Sequence, residues 1–237
     1  MNRLENNHQV PLPALERLAS YMRCLMQLEQ EGVRTVSSLE MEALTGISAA
    51  QFRKDLSHFG EFGKRGIGYD VGKLQDQIAE LLRIQKEQPV LLVGAGNLGR
   101  ALIAFPGWRA YGFRIVAVFD KDPRKIGTQI CRIRVRPFEE LATTNRQLGA
   151  RIGIITVPPG EAQPVADCLV AAGVVGIINF APVKLRLPRS VTVREVCFIS
   201  ELAVLSYLIH TREGPLPPAD VSGDGHGVEA CEGTTAG

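Results

Sequence analysis

The chain has 237 residues, 45% of them hydrophobic, and a net charge of +2. That is enough apolar material for one large core or two domains, and it excludes a polar, disordered chain. The charge is divided, with residues 1–84 at −1, 85–210 at +7 and 211–237 at −4, so no segment is basic enough to prove nucleic-acid binding by charge alone.

Cys24, Cys131, Cys168, Cys197 and Cys231 form no Cys-x-x-Cys pair and no metal spacing. Scattered, odd-numbered cysteines suit a reducing compartment. The polar start, Met1–Gln9, is no signal peptide, and the longest apolar run, within Cys168–Phe180, is short and broken by glycine. A soluble cytoplasmic protein is expected, without metal.

Pro11 to Glu31 predicts a helix, with Leu12, Leu15, Leu18, Met22, Leu25 and Leu28 at steps of three and four. Arg17, Tyr21 and Arg23 fall off that stripe, and Gly32 is a stop. A second helix should start at Ser37, with Glu40 completing a capping box, and stop at Gly46. A third should start at Ser48, with Gln51 completing another box, and bury Phe52, Leu56 and Phe59. Two short helices around Thr45-Gly46-Ile47-Ser48 make a helix-turn-helix. At about 100° per residue, Ala50, Lys54 and Ser57 point away from the apolar stripe, with Gln51, Arg53 and His58 on its flanks. This face suits the major groove, and equally an ordinary solvated surface.

Gly60 to Tyr69 carries four glycines and the pair Lys64-Arg65, and reads as a hairpin wing whose cations would meet DNA phosphates or the minor groove. Residues 51–66 hold four cations against two anions. A connecting helix is predicted over Val71–Gln88, ended by Pro89.

Val90-Leu91-Leu92-Val93 then runs into Gly94-Ala95-Gly96-Asn97-Leu98-Gly99, and helical spacing resumes at Leu98, Leu102 and Phe105. Strand, glycine turn and helix suit a dinucleotide pyrophosphate at the helix N-terminus, with Gly94 turning, Gly96 letting backbone approach the phosphates and Gly99 packing helix on strand. The same glycines also suit an α/β domain where they serve packing only. The next strand, within Arg114–Phe119, ends in Asp120, an acid placed for the adenosine ribose. Its charge would repel a 2′-phosphate, which favours NAD over NADP.

The remainder alternates strand and helix, predicting a mostly parallel sheet. In Ile130–Arg136, Arg132, Arg134 and Arg136 alternate with Ile133 and Val135, reading as an edge strand with a basic face. Strands are predicted over Arg151–Val157, Val174–Asn179 and Val191–Val196, with a helix over about 160–172. Thr156-Val157-Pro158 and Asn179-Phe180-Ala181-Pro182 follow strands at their carboxyl ends, where open α/β sheets bind ligands. Ile199–His210 predicts an apolar helix needing a partner surface, either a second copy or its own domain. The Gly- and Pro-rich acidic end reads as a disordered tail.

None of His8, His58, His210 and His226 lies in the strand–helix core, and Tyr207 lacks a Lys four residues on. A dinucleotide site without an evident proton-transfer group, joined to a DNA-binding module, points to a sensor. The alternative is a small NAD-dependent oxidoreductase with an accessory winged-helix domain.

With Gln51–Gly60, Gly63–Tyr69, the Gly94–Gly99 loop, Thr156–Pro158 and Asn179–Pro182 all in this order, the chain resembles the redox-sensing transcriptional repressor Rex family of bacteria, from Val10 to His210. The resemblance implies a repressor and not an enzyme. It implies a winged-helix domain over 1–84, a Rossmann-type NAD(H) domain over 85–198, a swapped dimerisation helix over 199–211 and a tail over 212–237. NAD(H) would contact Gly94–Gly99, Asp120, Lys121, Thr156, Val157, Pro158 and Asn179–Pro182. DNA would meet Gln51, Arg53, Lys54, Ser57, His58, Lys64 and Arg65. In a homodimer, NADH would close the two subunits and release operators of respiration and fermentation genes. The switch residues implied are Arg23, Phe105 and Cys197. The family usually has Tyr and Asp at the last two positions, so redox discrimination is expected to be altered here.

Overall fold

The computed structural model describes residues 11–57 and 68–213, arranged as two compact units, 1–196 and 197–237. The first unit contains a helical part followed by an α/β part. α1 (Leu12–Gln30) buries Leu18, Met22 and Leu25 as its periodicity predicts, and also Tyr21, which the stripe had placed outside. Tyr21 is buried because its ring meets Phe52 edge-on at 4.8 Å and its hydroxyl has a carboxylate partner. β1 (Thr35–Val36) follows, then α2 (Ser38–Thr45). Both bonds of the Ser37–Glu40 capping box form, and Gly46 closes the helix in the left-handed conformation at φ 70°.

α3 (Ala49–Ser57) buries Phe52 and Leu56. The second capping box forms only in half. The Ser48 hydroxyl accepts from the Gln51 backbone, but the Gln51 side chain turns instead to Asp55, a stronger, charged acceptor. β2 (Tyr69–Asp70) pairs antiparallel with β1. Of the expected wing, Gly60–Tyr69, residues 60–67 with Lys64 and Arg65 lie outside the described residues, as do His58 and Phe59, expected on the third helix. Gly68 is held at φ 88° against Val36, where a Cβ would sit 2.8 Å from the Val36 carbonyl oxygen. Asp70 caps α4 (Val71–Leu81). α4 is shorter than predicted, because Arg83 takes a positive φ of 57° just beyond its end. Pro89 therefore breaks no helix and lies inside the next strand.

The α/β part continues with β3 (Gln88–Val93), α5 (Asn97–Ala104), β4 (Phe113–Asp120), β5 (Gln129–Ile130), β6 (Ile133–Pro137), α6 (Leu141–Leu148), β7 (Ile152–Ile155), α7 (Pro159–Ala171), β8 (Gly176–Asn179) and β9 (Thr192–Glu195). The sheet order is β5-β6-β4-β3-β7-β8-β9, and every pairing is parallel except β5 with β6. Central β3 buries Val90–Val93 completely, as a strand covered on both faces must. The three-arginine strand is corrected to a hairpin. Cys131 and Arg132 form its turn at φ 46° and 68°, leaving only Arg134 and Arg136 to alternate on β6. Arg194 of β9 donates to Glu16 of α1 at 2.6 Å, joining the two parts of this unit.

The second unit opens at Cys197 and holds α8 (Phe198–Glu213). Ile199, Leu202, Leu205 and Leu208 on it are exposed. The end of the chain from 214, read as a tail, lies outside the described residues. Among the described residues no helix is long and apolar enough to cross a membrane.

Candidate nucleotide and nucleic-acid sites

The three central strands end together, because β3 is flanked by β4 and β7 in parallel register, with Val93 beside Phe119 and Ile155. The glycine loop crosses this edge. Gly94 donates its N–H to Phe119 at 2.8 Å, and the Thr156 hydroxyl donates to the carbonyls of Val93 and Gly94 at 3.1 and 2.8 Å. Thr156 thus holds the turn against the neighbouring strand.

The three loop glycines do different things. Gly94 has φ 108°, and a Cβ there would sit 2.6 Å from the Thr156 carbonyl oxygen. A Cβ on Gly99 would sit 1.9 Å from the Gly94 carbonyl oxygen, so α5 rests directly on the turn. Gly96 has nothing within 4 Å of an added Cβ. Packing explains the first and third glycines and leaves the second unexplained, at the position where backbone would approach a ligand. Gly96 is also the N-cap of α5, where no side chain caps the helix and the helix end carries partial positive charge.

Asp120 is buried at the end of β4. Its carboxylate accepts from the Ala95 N–H at 2.7 Å, the Asp122 N–H at 2.8 Å and Lys125 Nζ at 3.2 Å. Burial alone would push the carboxyl up, but these donors hold it below the ordinary carboxylate range. Asp122 next to it is drawn down to about 2 by Arg124.

A cavity of about 490 Å³ opens beside the loop. Its lining includes the predicted Gly94, Gly96, Asp120, Lys121, Thr156, Val157 and Pro158. It also includes Phe138, Glu161 and Val165, which the sequence reading missed. Phe138 follows a strand end and Glu161 lies in the first turn of α7, positions that become neighbours only through sheet order. Lys121 forms an ion pair with Glu161 across this cavity.

The other predicted nucleotide residues fall elsewhere. Ala95 is buried and contributes its N–H to Asp120. Leu98 is partly exposed, and Asn97 lies on the first turn of α5. Asn179 is fully buried, with its carboxamide bonded to Ala181 and to the Val183 carbonyl. It shapes the loop carrying Phe180, Ala181 and the exposed Pro182.

On the helical part, α3 exposes Ala50, Arg53, Lys54 and Ser57. Arg53 Nη1 donates to Ser38 Oγ of α2 at 2.7 Å. On the opposite flank is Asp55, buried and overlooked as a site residue. It accepts from Arg17 Nε and Nη2 at 2.6 and 2.7 Å, from the Tyr21 hydroxyl at 2.9 Å and from Gln51 Nε2 at 2.7 Å. Burial opposes the Asp55 charge, and these donors outweigh it, keeping the carboxyl below its ordinary value. Burial, reinforced by Asp55, pushes the Tyr21 phenol up. The signal in the sequence was a cation, Arg17, off the stripe of one helix and an anion beside the apolar face of another.

Of the three implied switch residues, Arg23 is exposed on α1 and Phe105 follows α5, with its ring edge-on to Trp108 at 5.7 Å. Cys197 begins the second unit.

The family described as "CoA binding domain" matches residues 85–183, and the one described as "Putative DNA-binding protein N-terminus" matches residues 9–57. The redox-sensing transcriptional repressor Rex of Thermotoga petrophila is 44% identical over 205 residues, covering 86% of this chain and 98% of that relative. Two solved structures of a Rex-family repressor are similar over 86% of this chain. One, in complex with NAD⁺ and operator DNA, has 34% identity, 94% of its own chain covered and a TM-score of 0.79. The other, in complex with NADH, has 32% identity, 96% covered and a TM-score of 0.78.

Proposed function

The chain belongs to the Rex family of redox-sensing transcriptional repressors, which are not enzymes, and from that premise we propose that it binds operator DNA through α3 and senses NAD(H) through the Gly94–Gly99 loop. The observation that carries this reading is the open position of Gly96 beside the buried Asp120. Backbone N–H groups and the α5 N-terminus would hold the pyrophosphate. The cavity rimmed by Asp120, Phe138 and Pro158 would take the adenosine end. The solved relatives with NAD⁺, NADH and operator DNA support both assignments.

The domains are read as 1–84 for DNA and 85–198 for nucleotide, in a cytoplasmic protein. The helix over 199–211 is read as the dimer contact, exchanged between two subunits. Exposed Leu202, Leu205 and Leu208 support this, since a stripe of leucines in water is unfavourable. NADH would close the homodimer and release operators of respiration and fermentation genes, by binding the closed state more tightly. Lys54 and Ser57 would meet the major groove, with His58, Lys64 and Arg65 completing the contact.

Arg23, Phe105 and Cys197 are read as the altered switch. Phe105 has no hydroxyl to donate, and a neutral thiol at Cys197 cannot pair with a cation as a carboxylate does. DNA release should therefore depend weakly on which nucleotide is bound. Titration of a palindromic operator-like duplex, alone and with NAD⁺ or NADH, tests the reading. Absence of duplex binding in every condition would overturn the repressor assignment. A large difference between the nucleotides would overturn the altered switch.

A further inference from the structure

We propose that Gln51 reads an adenine in the major groove and that Asp55 pre-orients it for this. The inference rests on α3 being the DNA-facing helix. Gln51 stands in the first turn of α3, the part of a recognition helix that meets base edges. It is half-buried, beside outward-facing Ala50 and Lys54.

A carboxylate only accepts hydrogen bonds, so the 2.7 Å contact with Asp55 Oδ1 fixes which end of the Gln51 carboxamide is the amino group. One N–H is used there. The second N–H and Oε1 remain, and among the described residues Oε1 has no hydrogen-bond partner. Adenine presents the complement of that edge, an N7 acceptor beside an N6 amino donor. Guanine presents two acceptors in the same place, and Oε1 would face O6 there.

The orientation is rigid because Asp55 is itself fixed. Arg17 grips it through two bonds and Tyr21 through a third, all from α1. A glutamine on an exposed helix face normally samples several rotamers, and ordering it on DNA costs affinity. Here that ordering precedes binding.

The test begins with selection of duplexes from a randomised pool by the full-length wild-type chain, then by Gln51→Ala. The expected result is loss of preference at one A·T position in each half-site, with the other preferences kept. On the DNA side, replacing that adenine by 7-deazaadenine should weaken wild-type binding about 5- to 150-fold and leave Gln51→Ala unaffected. The wild-type measurement with 7-deazaadenine, placed at each adenine in turn, uses unaltered protein and so does not depend on how the variant folds. If Gln51→Ala selects the same sequence with the same preferences, or 7-deazaadenine is tolerated at every position, Gln51 does not read adenine and the DNA-binding assignment stands. If wild type enriches no sequence, both readings fall.

Discussion

The carboxylate of Asp120 accepts the backbone N–H of Ala95 at 2.7 Å, so the acid ending one strand holds the glycine turn ending its neighbour. The same carboxylate also holds Asp122 and Lys125. The acid proposed for a ribose is thus also a clamp on the glycine loop, and the loop's shape depends on it.

Asp120→Ala should therefore do two things. It leaves the buried Ala95 N–H without its acceptor, which costs about 1–3 kcal/mol of stability. It should also weaken NAD(H) binding about tenfold or more, since each 1.4 kcal/mol lost is a factor of ten. Thermal unfolding and calorimetric titration with NADH read the two effects separately.

Gly96→Ala and Gly99→Ala should separate binding from folding. Gly99→Ala drives a Cβ into the Gly94 carbonyl oxygen, and overpacking of that kind costs about 1–3 kcal/mol or more. Gly96→Ala meets open space and should melt like wild type. Its extra methyl would stand where the pyrophosphate approaches, so NADH affinity should fall about tenfold or more. Equal melting temperatures for the two variants would contradict the packing difference.

Asp55→Ala removes the shared acceptor of Arg17, Tyr21 and Gln51. Breaking a buried ion pair costs about 3–5 kcal/mol, and the lower end applies because Arg17 keeps 27% of its side-chain surface in water. Denaturant unfolding measures it.

The same residue sets an acid limit. The folded Asp55 carboxyl titrates below its unfolded value of about 3.9. Its stabilisation is complete above that pH and is lost as pH falls through the folded value. Asp55→Asn should flatten the fall of stability below about pH 4. An unchanged acid profile would remove Asp55 from the account.

Restoring hydroxyl and carboxylate with Phe105→Tyr and Cys197→Asp together should sharpen the dependence of DNA release on NADH over NAD⁺ about tenfold, or 1.4 kcal/mol of coupling. Duplex titrations with each nucleotide, run on wild type and the double variant, measure this.

Local chemistry is legible in the chain wherever a structure rests on near neighbours. The Ser37–Glu40 box, the Gly46 stop and the Val93–Gly99 turn follow from residues within a few positions of each other, and each forms as read. The alternating elements foretold a parallel sheet, because each crossover must return the chain to the same edge. Where local patterns misled, a distant group had intervened. Gln51 left its capping box for Asp55, Tyr21 was drawn inward by Phe52 and Asp55, and the three-arginine period hid a turn at Cys131–Arg132.

The amino-acid sequence by itself determined the kinds of candidate sites in this protein: a glycine loop followed by an acid, and a short helix carrying cations. Only the tertiary structure decided which side chains gather around them. Sheet order brings Phe138 and Glu161 beside Gly96, and helix packing sets Arg17 and Tyr21 on Asp55 across 38 and 34 residues of chain. Periodicity and capping act over one or two turns, whereas burial of a charge is settled by whatever donors the fold brings to it.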